Sequence, residues 1–244
     1  MKKLKDKRRF LITGVKGGIG KTYTCYLLAD YFSRVRNMLT VIINCDAKHN
    51  HLTEVYKGKP NIEVFNIPME KNNDVYGMIL EGVNNYPDAA VIIDTPGQTT
   101  NSMELPFAIA WVTEEEGSIL WVTGKDPSCI DVLKTAHEQN MPCPVIVIQK
   151  VAMEEMRVWL NSDIRKKYGI STKNELYIPE MPSSLWGKLF WSEDKSARIT
   201  LREIIEDENK SYNMMYRLSA KQYTETFKGI LECVEVPKIR IQEL

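Results

Sequence analysis

The chain has 244 residues, with 32 Lys or Arg against 32 Asp or Glu, so its formal net charge is zero and a global attraction to polyanions is excluded. With 43% hydrophobic and 26% charged residues it is a globular chain, long enough to bury one sizeable core, and not a disordered one. The five cysteines show no C-x-x-C spacing, and the longest apolar run, Phe107 to Val112, is far short of the ~18–20 residues that span a bilayer. These features predict a cytoplasmic protein with free, mostly buried thiols and no integral membrane segment.

In chain order, residues 1–9 form a basic N-terminal tail in which six positions are Lys or Arg. Two readings stay open for it: a solvated tail, or an electrostatic contact with DNA or another anionic surface. Residues 10–233 read as a single domain and 234–244 as a C-terminal tail. Strand-length apolar runs fall at Phe10–Thr13, Val41–Asn44, Ile62–Phe65, Ala90–Asp94, Ile119–Thr123, Val145–Ile148 and Leu176–Ile178. Between them, apolar residues recur at helical spacing over 27–35, 75–83, 130–136 and 153–160. Short apolar strands with helical crossovers predict an α/β fold: a doubly wound, mainly parallel sheet with helices on both faces. Ligands in such sheets bind beyond the carboxyl ends of the strands, which directs attention to the loops after Thr13, Asn44, Asp94, Thr123, Ile148 and Ile178.

The first of these loops, Gly14-Val-Lys-Gly-Gly-Ile-Gly-Lys-Thr22, follows a strand and opens an amphipathic helix. Gly17, Gly18 and Gly20 free the backbone, with Ile19 between them, to turn successive N–H groups toward phosphate oxygens. Lys21 is placed to neutralise the β- and γ-phosphates, and Thr22 to offer a hydroxyl to Mg²⁺ at the helix N-terminus, with Tyr23 the next cofactor-binding candidate. The strict G-x-x-x-x-G-K-[ST] pattern fails, because Val15 stands where its first glycine belongs. Lys16-Gly-Gly-Ile-Gly-Lys-Thr22 instead resembles the deviant Walker A sequence, KGGxGK[ST], of the ParA/MinD family of P-loop ATPases. The resemblance implies a signature role for Lys16, which would reach across a dimer interface to the nucleotide of the other subunit.

Ala90-Val-Ile-Ile-Asp-Thr-Pro-Gly97 resembles the family's Walker B strand with a DTPG switch II, implying that Asp94 holds Mg²⁺ partly through water and that the Gly97 N–H approaches the γ-phosphate. Val41 to Asn50 resembles the DxDPQxN switch I, with Asp46 at the second Asp, the position that would orient the attacking water. Asn44 replaces the first Asp, and Ala47-Lys48 stands where Pro-Gln is typical. His49 and His51 beside Asp46 leave a metal reading open. Gln149 and Pro179, at the ends of later strands, match the family's base-binding positions. The guanine motif NKxD is absent, Thr123-Gly-Lys-Asp126 having the wrong spacing, so ATP/ADP is expected.

Beyond these motifs, Leu185, Trp186, Leu189, Phe190 and Trp191 read as core or as a partner surface. The alternation of Val234, Val236, Ile239 and Ile241 is not that of a membrane-binding helix. The resemblance implies an ATP-dependent homodimer and a slow ATPase that positions cargo, with non-specific DNA and a DNA-bound or transfer-complex partner that stimulates hydrolysis. The alternatives are a P-loop metabolic synthetase, a nitrogenase-reductase-like protein using Cys129 and Cys143, or a non-hydrolysing nucleotide-dependent adaptor.

Overall fold

The computed structural model describes residues 2–46, 50–69, 74–97, 104–124, 126–149, 153–190, 199–209 and 211–237. Seven strands form one parallel sheet in the order β3-β2-β4-β1-β5-β6-β7. They are β1 (Arg9–Thr13), β2 (Thr40–Asn44), β3 (Ile62–Asn66), β4 (Ala90–Asp94), β5 (Ser118–Thr123), β6 (Val145–Gln149) and β7 (Glu175–Ile178). Each overlaps an expected strand, with ends that differ by at most one residue. The expected doubly wound sheet is therefore present, and all of its pairings are parallel.

Alternation along the strands divides the core in two. Phe10, Ile12, Ile42, Ile92, Leu120, Val122 and Val147 face one layer, while Leu11, Val41, Ile43, Val91, Ile93, Trp121 and Ile146 face the other. The first layer is closed by α1 (Lys21–Asp30), α2 (His51–Tyr56), α8 (Ser183–Phe190), α9 (Leu201–Ile205) and the long α10 (Met214–Cys233). The second is closed by α3 (Val75–Asn84), α4 (Glu104–Thr113), α5 (Ser128–Glu138), α6 (Met153–Leu160) and α7 (Asp163–Lys167). A strand covered on both faces must be apolar at consecutive positions, which is why β2 and β4 are buried along their whole length. Helix α1 lies between the sheet and the outer helices, so nearly all of its residues are buried.

The N-terminal segment is docked, not trailing. Leu4 is fully buried, Lys3 forms an antiparallel bridge with Glu235, and the Val236 N–H donates to the Lys2 carbonyl (3.0 Å). Four of its six cations are ion-paired within the chain: Lys2 with Glu116, Lys3 with Glu235, Arg8 with Asp88 and Arg9 with Glu115. One apolar anchor, the bridge to the C-terminal segment and these ion pairs seat it at the end of β1 opposite the glycine-rich loop. Leu185 and Leu189 are fully buried and Trp186 packs edge-on against Tyr23 (5.1 Å between centroids), so these three belong to the core. The Phe190 side chain, Trp191, Ile239 and Ile241 lie outside the described residues.

One buried charge braces the far edge. The Glu175 carboxylate accepts hydrogen bonds from Arg165 Nε (2.7 Å), Trp159 Nε1 (2.9 Å) and the Tyr177 hydroxyl. Burial pushes its pKa up, but these donors outweigh burial and hold it below the usual value. A depressed folded pKa adds stability that is present above the unfolded value of about 4.3 and is lost as pH falls through the folded one. The E175A protein is expected to lose about 3 kcal/mol of stability at pH 7, because Arg165 is stranded without its partner. Urea denaturation at pH 7 and pH 3 checks this, and the gap from wild type should shrink at the lower pH.

Candidate functional site

The strand order reverses between β1 and its neighbours β4 and β5, and the glycine-rich loop leaves the sheet at that switch point. Gly20 caps α1 with φ +98°, a left-handed conformation, and a Cβ there would overlap the Gln149 side-chain amide. Gly97 supplies the other close approach: a Cβ on it would stand 2.8 Å from the Gly17 nitrogen, so only glycine lets this turn meet the loop.

The loop's two lysines are disposed in opposite ways. Lys21 is 6% exposed and its Nζ donates to the Lys16 carbonyl (2.8 Å) inside the loop. Burial lowers its pKa, opposed chiefly by the nearby Asp94 charge. The Lys16 side chain is 46% exposed and ion-paired with Asp126, whose other oxygen accepts from the Ser128 N–H (2.9 Å) and hydroxyl (2.7 Å) at the start of α5. Hydrogen bonds from Lys16 and then Ser128 hold the Asp126 carboxyl down at about 2. A pair this open to water is screened and weak, so it parks Lys16 without locking it. The sequence presents Asp126 only as part of a failed guanine motif; the readable signal is an acid just before a helix at a strand's carboxyl end.

Asp94, the last residue of β4, is 2% exposed. Its Oδ2 accepts from Thr22 Oγ1 (2.8 Å), the Cys25 thiol lies against the carboxylate, and Oδ1 is buried without an N–H or O–H donor. Burial pushes its pKa up to about 6, against the lowering effects of Thr22 and Lys21. A buried carboxylate oxygen with spare capacity, beside a threonine hydroxyl and below a glycine-rich loop, suits a hard divalent cation with oxygen ligands. Thr22 and Asp94 are the residues that would hold Mg²⁺. Thr95 ties this turn to β1 through its hydroxyl, which donates to the Ile12 carbonyl (3.0 Å).

Asp46 lies where its charge acts on both Lys21 and Asp94, so the structure brings it into the same cluster. Ala47, Lys48 and His49 lie outside the described residues, and His51 sits exposed at the start of α2. Among the described residues, no group of three or more His, Cys, Asp or Glu is arranged to hold a metal. Ile19 reaches back over Gly14 and Gly124, packing the loop onto the ends of β1 and β5.

The base-side candidates divide. The Gln149 amide abuts Gly20, with Nε2 buried and without a hydrogen-bond partner in range. The Pro179 carbonyl accepts from the Tyr223 hydroxyl (3.0 Å), which in turn contacts the Tyr23 hydroxyl. The Tyr23 side chain therefore points into the core, which leaves only its backbone facing the loop. Cys129 stands in the first turn of α5 at the end of the sheet that carries the glycine-rich loop, whereas Cys143 precedes β6 at the opposite end. Two thiols at opposite ends of a helix cannot share one cluster within a subunit.

Parallel sheet, switch point and glycine-rich loop define the class: this is a P-loop nucleotide-binding fold. No protein-family model matches the sequence and no curated protein matches it significantly. Solved structures do match. The MinD cell division protein of Aquifex aeolicus superposes with a TM-score of 0.53 at 14% identity, over 96% of this chain and 100% of that one. A putative plasmid partition protein of Borrelia burgdorferi bound to AMPPNP gives 0.54 at 16%, over 93% and 98%. The septum site-determining protein MinD of Pyrococcus horikoshii, complexed with Mg-ADP, gives 0.50 at 12%, over 92% and 98%. The chain has the fold of the ParA/MinD proteins, as the loop sequence implies.

Proposed function

We propose that the protein is a Mg²⁺-dependent ATPase of the ParA/MinD type that closes into a homodimer around ATP and hydrolyses it slowly. The observation that carries this reading is the split between the two loop lysines, one sealed inside the loop and the other half exposed at its rim. Two of the matching structures hold AMPPNP and Mg-ADP, which supports the same ligand class here.

The chain's own groups divide the work. Backbone N–H groups of 17–22 bind the phosphates and Lys21 neutralises them in a site shielded from water. Thr22 and Asp94 would hold Mg²⁺, which would supply charge neutralisation at the bound phosphates. Asp46 orients the water, and Lys16 leaves Asp126 to meet the nucleotide of the second subunit. Catalysis is then positioning and charge stabilisation, without a covalent intermediate. Gln149 and Pro179 flank the base.

The cargo in this reading is DNA, as in plasmid partition or conjugative transfer, with a DNA-bound or transfer-complex partner that speeds hydrolysis. The N-terminal basic run is a poor candidate for the DNA surface, since four of its cations are paired with acids at the end of the sheet away from the nucleotide. No helix among the described residues is long and apolar enough to cross a membrane.

Light scattering of wild type and K16A with ATP and Mg²⁺, with and without duplex DNA, tests the reading. Wild type is expected to double its mass only with ATP. K16A should bind ATP within about threefold of wild type yet stay monomeric, because its lysine serves the other subunit's nucleotide. A wild type that binds ATP without changing mass would sink the dimer mechanism, and phosphate release stimulated by a small acid would then favour a synthetase.

A further inference from the structure

Three strand ends stand side by side at the nucleotide edge of the sheet. Asn66 on β3 and Asp94 on β4 are both register partners of Asn44 on β2. Asn44 is 2% exposed. Its Nδ2 donates to Asn66 Oδ1 (3.1 Å), and its Oδ1 accepts the backbone N–H of Asp46 (3.2 Å). Asn66 Oδ1 also accepts from Thr53 Oγ1 of α2 (2.7 Å). The main chain follows the same route, with the Ile67 N–H donating to the Asn44 carbonyl (3.0 Å) and the Cys45 N–H to the Asp94 carbonyl (2.9 Å). Hydrogen bonds thus run from α2 through Asn66 and Asn44 to the residue whose charge acts on Lys21 and Asp94.

This geometry asks for an amide at position 44. The side chain donates on one edge and accepts on the other, which an ionised carboxylate cannot do. A carboxylate there would also stand in register beside buried Asp94, two like charges on adjacent strands. The chain's departure at Asn44 from the DxDPQxN pattern is therefore matched by a partner, Asn66, twenty-two residues away.

We propose that Asn66 is a positioning residue for Asp46, acting through Asn44 to seat the turn that follows β2. Its effect on turnover rests on the ATPase reading above; its effect on the turn does not. Two side chains in sequence hold the Asp46 backbone, so removing the outer one loosens the inner one while leaving the phosphate loop untouched.

The test uses full-length wild type, N66A and N66D, with N44A as a second way to cut the tie. Asn66 is exposed, so N66A should fold, and N66D keeps both acceptor roles. Hydrogen exchange at the Asp46 amide should speed up roughly tenfold in N66A and N44A and stay near wild type in N66D. Single-turnover ATP hydrolysis should fall about tenfold in N66A, with ATP affinity within about twofold of wild type, and recover in N66D. Wild-type exchange at Asp46 in N66A would overturn the proposal, and so would faster exchange with unchanged turnover. A wild type that binds ATP and never hydrolyses it would overturn the ATPase reading instead, and exchange at Asp46 would still decide the tie.

Discussion

The K21A protein is expected to bind ATP at least ~100-fold more weakly than wild type and to show no turnover above background, while keeping its fold. Lys21 is the only loop cation turned inward, and it is nearly sealed from water. A charge-assisted hydrogen bond to phosphate is worth about 1.5–3 kcal/mol, and two such bonds lost together give a factor of roughly 10² to 10⁴. Stability should change little, because in the ligand-free protein the Nζ bonds only to a carbonyl of its own loop and burial already disfavours its charge. Titration with a fluorescent ATP analogue checks the affinity, and a thermal melt checks the fold. Wild-type affinity in K21A would mean that the glycine-rich loop is not the nucleotide site. K21R should fail as well, since the planar guanidinium does not fit a loop closed around an ammonium.

The D94N protein should be dead and more stable, a combination that separates a functional carboxylate from a structural one. Asp94 is pushed up to about 6 by burial, with Thr22 and Lys21 pulling the other way. An acid whose folded pKa lies above its unfolded value of about 3.9 favours the folded state below that value, and the contribution disappears as pH rises through 6. At pH 8 the ionised carboxylate therefore costs the ligand-free protein on the order of 2–3 kcal/mol, which asparagine removes. D94N should melt higher than wild type at pH 8 and converge with it below pH 4. Its turnover should fall ~100-fold or more for want of a charged Mg²⁺ ligand, and Mg²⁺ with ATP should raise the melting temperature of wild type much more than that of D94N. A D94N protein less stable than wild type at pH 8 would show that the Thr22 bond outweighs burial.

Most of the architecture was legible because two periodicities carry it. Runs such as Val41–Asn44 and Ala90–Asp94 are apolar at every position but the last, which only a strand covered on both faces demands. Gly17 to Thr22 was legible because loop chemistry admits few residues at each position. What escaped were contacts between distant side chains with no local signature. Leu4 is one apolar residue in a basic run, and nothing nearby announces that it is buried. Tyr23 was expected to meet a ligand, yet its ring is claimed by Tyr223 and Trp186 from helices formed some 160 to 200 residues later. Asp126 and Asn66 matter through partners 110 and 22 residues away, so no window of sequence contains both halves of either pair.

The position of β1 has a consequence for how the molecule is made. Of the seven strands it is made first, yet it pairs with β4 and β5, whose residues begin at 90 and 118. At ~5–20 residues per second, the phosphate loop emerges from the ribosome roughly 4 to 16 seconds before its first strand partner is complete. The Gln149 amide that lies against Gly20 arrives later still, and the bridge from Lys3 to Glu235 closes only after residue 235 is out. An apolar strand and the glycine-rich loop are thus exposed together until residues 94 to 123 have been made, the interval in which a chaperone that binds nascent chains would meet them.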